Sequence, residues 1–132
     1  MLDTDTFNEI DDQYAVACLL KSKEKLCTKA IYAAPYSRKG SGTVVEGMER
    51  SYQEILKILS IMGEKVDAFR GAENYLPDEK TAVRSPASLD LAERANYYSP
   101  ENPLYVVAIG AITNVASAIL LNPQMVENTV VV

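Results

Sequence analysis

Five carboxylates are crowded into the first dozen residues of the chain. The segment LDTDTFNEIDD at positions 2–12 contains Asp3, Asp5, Glu9, Asp11 and Asp12. Carboxylates this close together repel one another unless a cation or several hydrogen-bond donors hold them. Carboxylate oxygens are also the ligands that a hard cation such as Ca²⁺ takes. The segment therefore predicts a metal site, and the neighbouring elements must position it.

The composition excludes several other chemistries. The sequence has no His, which rules out Ser-His-Asp and Cys-His catalysis and every His-based metal site. Thirteen basic residues against 18 acidic ones give a net charge of −5, and the basic residues are scattered, so we expect no nucleic-acid partner. No apolar run approaches the roughly 18 residues of a membrane span, so we expect no membrane partner either.

The two cysteines and the acidic start bear on the compartment. Cys18 falls in a helical pattern and Cys27 opens a predicted strand, without CxxC spacing. This pattern predicts reduced core cysteines of a cytoplasmic protein rather than a disulfide. The acidic cluster at the N-terminus does not have the pattern of a signal peptide.

Short apolar segments alternate with helical patterns along the chain, whose 132 residues correspond to one domain. This alternation predicts an α/β fold, a Rossmann-like parallel sheet with helices on both faces. After the short apolar start, strands are predicted at 26–34, 66–69, 104–109 and 129–132.

The helices between these strands differ in how clearly the sequence marks them. In the first helix Ala15, Cys18 and Leu19 have helical spacing, and residues 35–43 form a loop after the next strand. Ser85 is a predicted N-cap followed by proline at the first helical position. A long amphipathic helix closed by glycine is predicted from the three-then-four spacing of Val45, Met48, Tyr52, Ile55, Leu59 and Met62.

Two unusual turns follow predicted strands, one at residues 3–12 and one at 110–114. Ligands of parallel sheets bind beyond the carboxyl ends of the strands, so we expect these turns to form a single site. Asp5 and Asp12 can both face it, with a backbone carbonyl from 110–114 as a third ligand. The spacing does not fit an EF-hand loop, and it fits a haloacid-dehalogenase-like phosphatase poorly because Phe7 occupies the required Thr or Val position.

Three ordered motifs resemble one known family. They are DTD at 3–5 followed by Asp11 and Asp12, AIYAAP at 30–35, and AIGAITNVA at 108–116. Together they are similar to the N-terminal half of the inosine-uridine preferring nucleoside hydrolases, over nearly the whole chain. The resemblance implies that residues 1–132 are the N-terminal part of a nucleoside hydrolase-like α/β domain, truncated after the fifth strand.

The resemblance also implies a role for each matching residue. Asp5 would be a Ca²⁺ ligand and the catalytic base, and Asp12 would be a bidentate Ca²⁺ ligand. Thr113 would bind the metal through its backbone carbonyl, and Asp11 would hydrogen-bond the ribose. Asp3 would support these residues without contacting the metal.

The implied reaction is hydrolysis of the N-ribosidic bond of a nucleoside by a calcium-activated water, in purine and pyrimidine salvage. Between Asp5 and Asp11 the chain has five residues, two more than the family's usual motif, and Asn-Glu replaces the usual Pro-Gly. We expect Asn8 to reach the ribose. The family's remaining calcium aspartate and leaving-group histidine belong to a C-terminal half, so we expect weak or no activity from this chain alone.

Other interpretations of these residues stand beside this one. A different class of function is a non-catalytic remnant that acts as a binding or assembly module, and we expect a homo-oligomer. The side chains of Thr113 and Asn114 are interpreted as a helix cap. Tyr32, Tyr36 and Tyr52 are interpreted as core or surface aromatics, with Tyr36 as a minor candidate for stacking on a base.

Overall fold

The computed structural model describes residues 1–38 and 42–132. These residues contain one five-stranded sheet, in which all strand pairs are parallel. The strand order is β3-β2-β1-β4-β5. The predicted Rossmann-like α/β fold is confirmed. The strands are β1 (Leu2–Thr4), β2 (Ala30–Ala33), β3 (Asp67–Phe69), β4 (Leu104–Ala108) and β5 (Thr129–Val131).

The helices lie on both faces of this sheet. They are α1 (Ile10–Lys21), α2 (Val44–Met62), α3 (Pro86–Arg94), α4 (Thr113–Leu121) and the short α5 (Met125–Asn128), with a 3₁₀ turn at Ala95–Tyr97. Side chains of β2 alternate between two cores: Ile31 packs with α1 and α2, and Tyr32 packs with α3 and α4. Both faces of the strand are therefore buried, as its uninterrupted apolar sequence predicts.

The central strand β1 lies where the chain changes direction across the sheet. Leu2 pairs with Ile31 of β2 on one side and with Val107 of β4 on the other. The chain extends from β1 through β2 to β3, and then crosses back to β4 and β5. The crevice beyond the carboxyl ends of β1 and β4 is therefore the switch point at which such sheets bind ligands.

The long helix α2 has well-defined ends. The Thr43 hydroxyl accepts a hydrogen bond from the Glu46 backbone N–H, and the Glu46 carboxylate accepts one from the Thr43 N–H at 2.7 Å. Gly63 ends the helix with a left-handed φ of 67°. Such a reciprocal cap and a glycine C-cap explain why the predicted helix is found with nearly the predicted bounds.

Gly47 allows α2 to pack directly against the loop after β2. A Cβ atom built on Gly47 would collide with the carbonyl oxygen of Tyr36. We expect Gly47→Ala to lower the free energy of unfolding by about 2 kcal/mol, because the helix must move away from the loop. Urea unfolding measures this loss. Gly63→Ala serves as a contrast: its Cβ would meet no atom within 4 Å, so its cost comes from positive φ alone.

Three details of the predictions are wrong. The buried face of α1 is Asp12, Val16 and Leu20, one position away from the predicted face. Cys18 and Cys27 are unpaired as predicted, but both are exposed and not in the core. The second strand begins at Ala30, four residues after its predicted start.

The remaining differences are small. The short helix α5 lies just before β5, where no helix was predicted. Residues 39–41 of the predicted loop at 35–43 lie outside the described residues. None of the described helices is both long enough and apolar enough to cross a membrane.

Candidate functional site

Asp5 directly follows β1 and begins the turn that leads into α1. Its side chain is only 7% exposed. The Asn8 side-chain amide donates to Asp5 Oδ2 at 2.9 Å, and the Asn8 backbone N–H donates to the Asp5 carbonyl at 2.7 Å. The two bonds close the turn over Asp5, so Asn8 fixes the orientation of this carboxylate.

Asp12 lies in the first turn of α1 and faces back toward β1. It is 8% exposed, and Thr4 of β1 donates its hydroxyl proton to Asp12 Oδ1 at 2.7 Å. The hydroxyls of Thr4 and Thr6 are 3.0 Å apart. The bond from Thr4 to Asp12 joins the central strand to α1 and places Asp12 on the same side as Asp5. Asp11, by contrast, is exposed to solvent.

The turn between β4 and α4 lies against Asp5. A Cβ atom at Gly110 would be 2.8 Å from Asp5 Oδ1, so only glycine allows this approach. The Ile109 N–H donates to the Asp3 carbonyl at 2.9 Å and continues the contact between the strands. Thr113 follows at the start of α4 and is 5% exposed. Asp5 and the Gly110–Thr113 turn are therefore neighbours at one edge of the sheet.

Burial raises the pKa of both carboxyls at this edge. The pKa of Asp5 is raised by desolvation, which its hydrogen bond from Asn8 only partly offsets. The pKa of Asp12 is raised by desolvation, partly offset by the Thr4 hydroxyl, and Asp5 and Asp11 add repulsion. Both ionised carboxylates are thus held at a free-energy cost, which a bound cation would reduce.

Asp3 lies deeper than either of these residues. It is fully buried, and Asn114 donates its side-chain amide proton to Asp3 Oδ1 at 2.8 Å. The other oxygen, Oδ2, is buried and has no hydrogen-bond partner among the described residues. Desolvation raises the pKa of Asp3 to about 7, although the bond from Asn114 opposes this.

Asn114 joins several elements beneath the site. Its side-chain amide also donates to the Ala33 carbonyl at 3.1 Å, and its oxygen accepts from the Ala72 N–H at 2.8 Å. The predicted cap is wrong, because the residue preceding α4, Ile112, makes no side-chain cap bond and Asn114 itself bonds to distant segments. The role of Asn114 is not predicted from the sequence, because its partners Asp3, Ala33 and Ala72 are distant along the chain.

No protein-family model matches the chain, and no curated protein matches it. The assignment of the site therefore depends on its geometry and on the motifs at 3–12 and 108–116.

The carboxylate and carbonyl oxygens at this edge of the sheet are the type of ligand that a hard cation takes. Within residues 1–38 and 42–132, no three His, Cys, Asp or Glu side chains are grouped as a metal site. The predicted ligand set uses only two carboxylates, those of Asp5 and Asp12, with the Thr113 carbonyl as third ligand. Two buried oxygens nearby have no hydrogen-bond partner in the described part of the chain, Asp3 Oδ2 and Asn8 Oδ1. Calcium takes six to eight oxygens, so water or substrate hydroxyls must supply the others.

Tyr32 and Tyr36 do not offer stacking surfaces to a ligand at the site. Tyr32 is fully buried and donates its hydroxyl proton to Asp90 at 2.7 Å. Tyr36 is 5% exposed, which leaves no ring face for a ligand. The interpretation of these two residues as core aromatics is confirmed.

Proposed function

We propose that this edge of the sheet binds Ca²⁺ and the ribose of a nucleoside, and that it serves hydrolysis of the N-ribosidic bond. The observation that carries the proposal is the pair of nearly buried carboxylates, Asp5 and Asp12, beside the Gly110–Thr113 turn at the switch point of the sheet. The hydrogen bonds from Asn8 and Thr4 support it, because they fix both carboxylates before any ligand binds.

The side chains would divide the chemistry among them. Asp5, Asp12 and the Thr113 carbonyl would hold Ca²⁺, whose charge lowers the pKa of a water molecule. Asp5 would accept the proton of the attacking water as the general base. Asp11 would accept a hydrogen bond from a ribose hydroxyl, and Asn8 Oδ1 is a second acceptor, with no partner within residues 1–38 and 42–132.

The setting of this activity is also a proposal. The two unpaired, exposed cysteines favour a reducing compartment, so we place the protein in the cytoplasm. The partner is a small-molecule nucleoside, and no membrane or nucleic-acid partner is proposed.

Isothermal titration calorimetry with Ca²⁺ tests the metal site. We expect Asp12→Asn to weaken Ca²⁺ binding at least tenfold, because it removes one of two carboxylate ligands. Asp78→Asn is the matched control, since Asp78 lies in an exposed loop and bonds to Lys80 and Thr81 of the same loop. Equal losses in both variants would contradict the proposed site.

A second titration and an activity assay separate binding from catalysis. We expect ribose to bind only when Ca²⁺ is present. Release of hypoxanthine or uracil from inosine or uridine, lost in Asp12→Asn, would establish catalysis by the chain itself. Ribose binding without turnover would leave a site that binds substrate but needs further residues.

A non-catalytic assembly module is the alternative function. Strand β5 lies at one edge of the described sheet, and Val130 and Val131 on it are 38% and 41% exposed. Open edges of this kind favour association with another strand. If neither Ca²⁺ nor ribose binds at millimolar concentration, this second function replaces the first.

A further inference from the structure

Phe7 lies in the carboxylate turn, two residues after Asp5, and this large apolar residue is 46% exposed. Its backbone N–H donates to the Ser51 hydroxyl of α2 at 3.3 Å, which attaches the turn to that helix. The backbone at Phe7 is therefore fixed while its large apolar ring faces solvent. Exposure of a ring on a fixed backbone costs free energy that a ligand can recover.

A cationic side chain of α2 lies next to this ring. The Arg50 guanidinium carbon is 5.9 Å from the centre of the Phe7 ring, within the range of a cation–π contact. Burial raises the pKa of the Tyr36 hydroxyl, and the charge of Arg50 and its hydrogen bond to this hydroxyl oppose the rise. Arg50 thus contacts both Tyr36, near Asp5, and the exposed ring of Phe7.

Phe7 and Arg50 both line a groove of about 420 Å³ along α2. Its polar walls include Gln53 and Lys57. Small-molecule sites commonly have volumes of about 300–1,000 Å³. The acidic groups on this surface already have partners, since Glu46 caps α2 and Glu49 accepts two bonds from Arg70 at 2.7 and 3.0 Å.

We propose that Phe7 and Arg50 form the subsite for the planar base of the nucleoside. This rests on the proposed function, in which Asp5 lies beside the ribose. Two residues of chain span at most about 7 Å, and the base is bonded directly to the ribose, so a base can reach the Phe7 ring. A flat aromatic base stacks on the ring, and the Arg50 guanidinium holds the ring in place and adds charge next to it.

Calorimetry with inosine and with ribose, both in the presence of Ca²⁺, tests this subsite. We expect inosine to bind more tightly than ribose, and Phe7→Ala to weaken inosine binding about five- to thirtyfold while ribose binding stays unchanged. Phe7→Trp keeps a stacking surface and should retain inosine affinity. Tyr97→Ala is the matched control, because Tyr97 is also an exposed aromatic, at 76% exposure, outside this groove.

The outcomes distinguish the subsite from the function on which it rests. If ribose binds, and if the parent and Phe7→Ala bind inosine with equal affinity, the subsite is overturned and the proposed function stays in place. Loss of ribose affinity in Phe7→Ala would also overturn it, because the effect would then not concern the base. Absence of both Ca²⁺ and ribose binding would overturn the proposed function, and the subsite with it.

Discussion

Asn114→Ala is expected to lower the free energy of unfolding by about 3–5 kcal/mol. The side chain is fully buried and bonds to Asp3, to the Ala33 carbonyl and to the Ala72 N–H. Alanine removes these bonds and leaves each partner without water or protein to replace them. The loss of the Asp3 bond costs most, because the other oxygen of that carboxyl already has no partner among the residues that the structure describes.

Urea unfolding followed by circular dichroism measures this loss, and Asn122→Ala is its matched control. Asn122 donates to the Ala92 carbonyl at 2.8 Å and to Asn96 at 3.0 Å, at a partly exposed position. Water can replace these bonds, so the control should lose only about 1 kcal/mol. Similar losses in the two variants would show that the network beneath the site contributes nothing beyond ordinary hydrogen bonds.

The sheet and its longest helix could be predicted because their signals are local. In α2 the apolar positions recur every three or four residues, and Gly63 marks the end, so periodicity alone locates the helix. The carboxyl-end rule likewise predicts that Asp5 and the turn at 110–114 come together, and Gly110 contacts Asp5 as this rule requires.

The face of α1 could not be predicted in the same way. Residues 14–20 of this helix include apolar side chains on every side, so the sequence does not select one stripe. The Thr4 hydroxyl bond to Asp12 helps to turn the helix so that Asp12, Val16 and Leu20 are buried. A contact between a strand and a helix therefore decides what periodicity leaves open.

The role of Asn114 was beyond sequence analysis for a similar reason. Its bond to Asp3 joins residues 111 positions apart. No local pattern distinguishes this asparagine from a helix cap, because both interpretations place a polar residue after a strand-end turn. Only the packing of β1 against β4 brings the two residues together.

The buried Asp3 carboxyl should make the stability of the protein fall as pH rises. Its pKa is about 7 in the folded protein against an ordinary value of 3.8, because burial disfavours the charged form. Between these two values the folded state holds a proton that the unfolded chain has lost, so raising the pH favours unfolding. The contribution of Asp3 is fully present below pH 3.8 and is lost as pH rises through about 7.

We expect the parent protein in EDTA to lose about 4 kcal/mol of unfolding free energy from this group between about pH 4 and pH 8. Asp3→Asn cannot ionise, so its stability should depend much less on pH and exceed that of the parent by about 2–4 kcal/mol at pH 8. Asp5 and Asp12 have raised pKa values too, so a smaller slope of the same sign should remain.

Unfolding in urea at a series of pH values measures both slopes, and Asp78→Asn provides a control of opposite sign. Backbone bonds from Lys80 and Thr81 lower the pKa of Asp78, so its contribution is present above the ordinary pKa and is lost as pH falls. Removing it should leave the loss of stability toward pH 8 unchanged. Parallel pH profiles for the parent and Asp3→Asn would mean that Asp3 is ionised in the folded state at an ordinary pKa, and that the environment of its Oδ2 atom is more polar than the packing around Asn114 indicates.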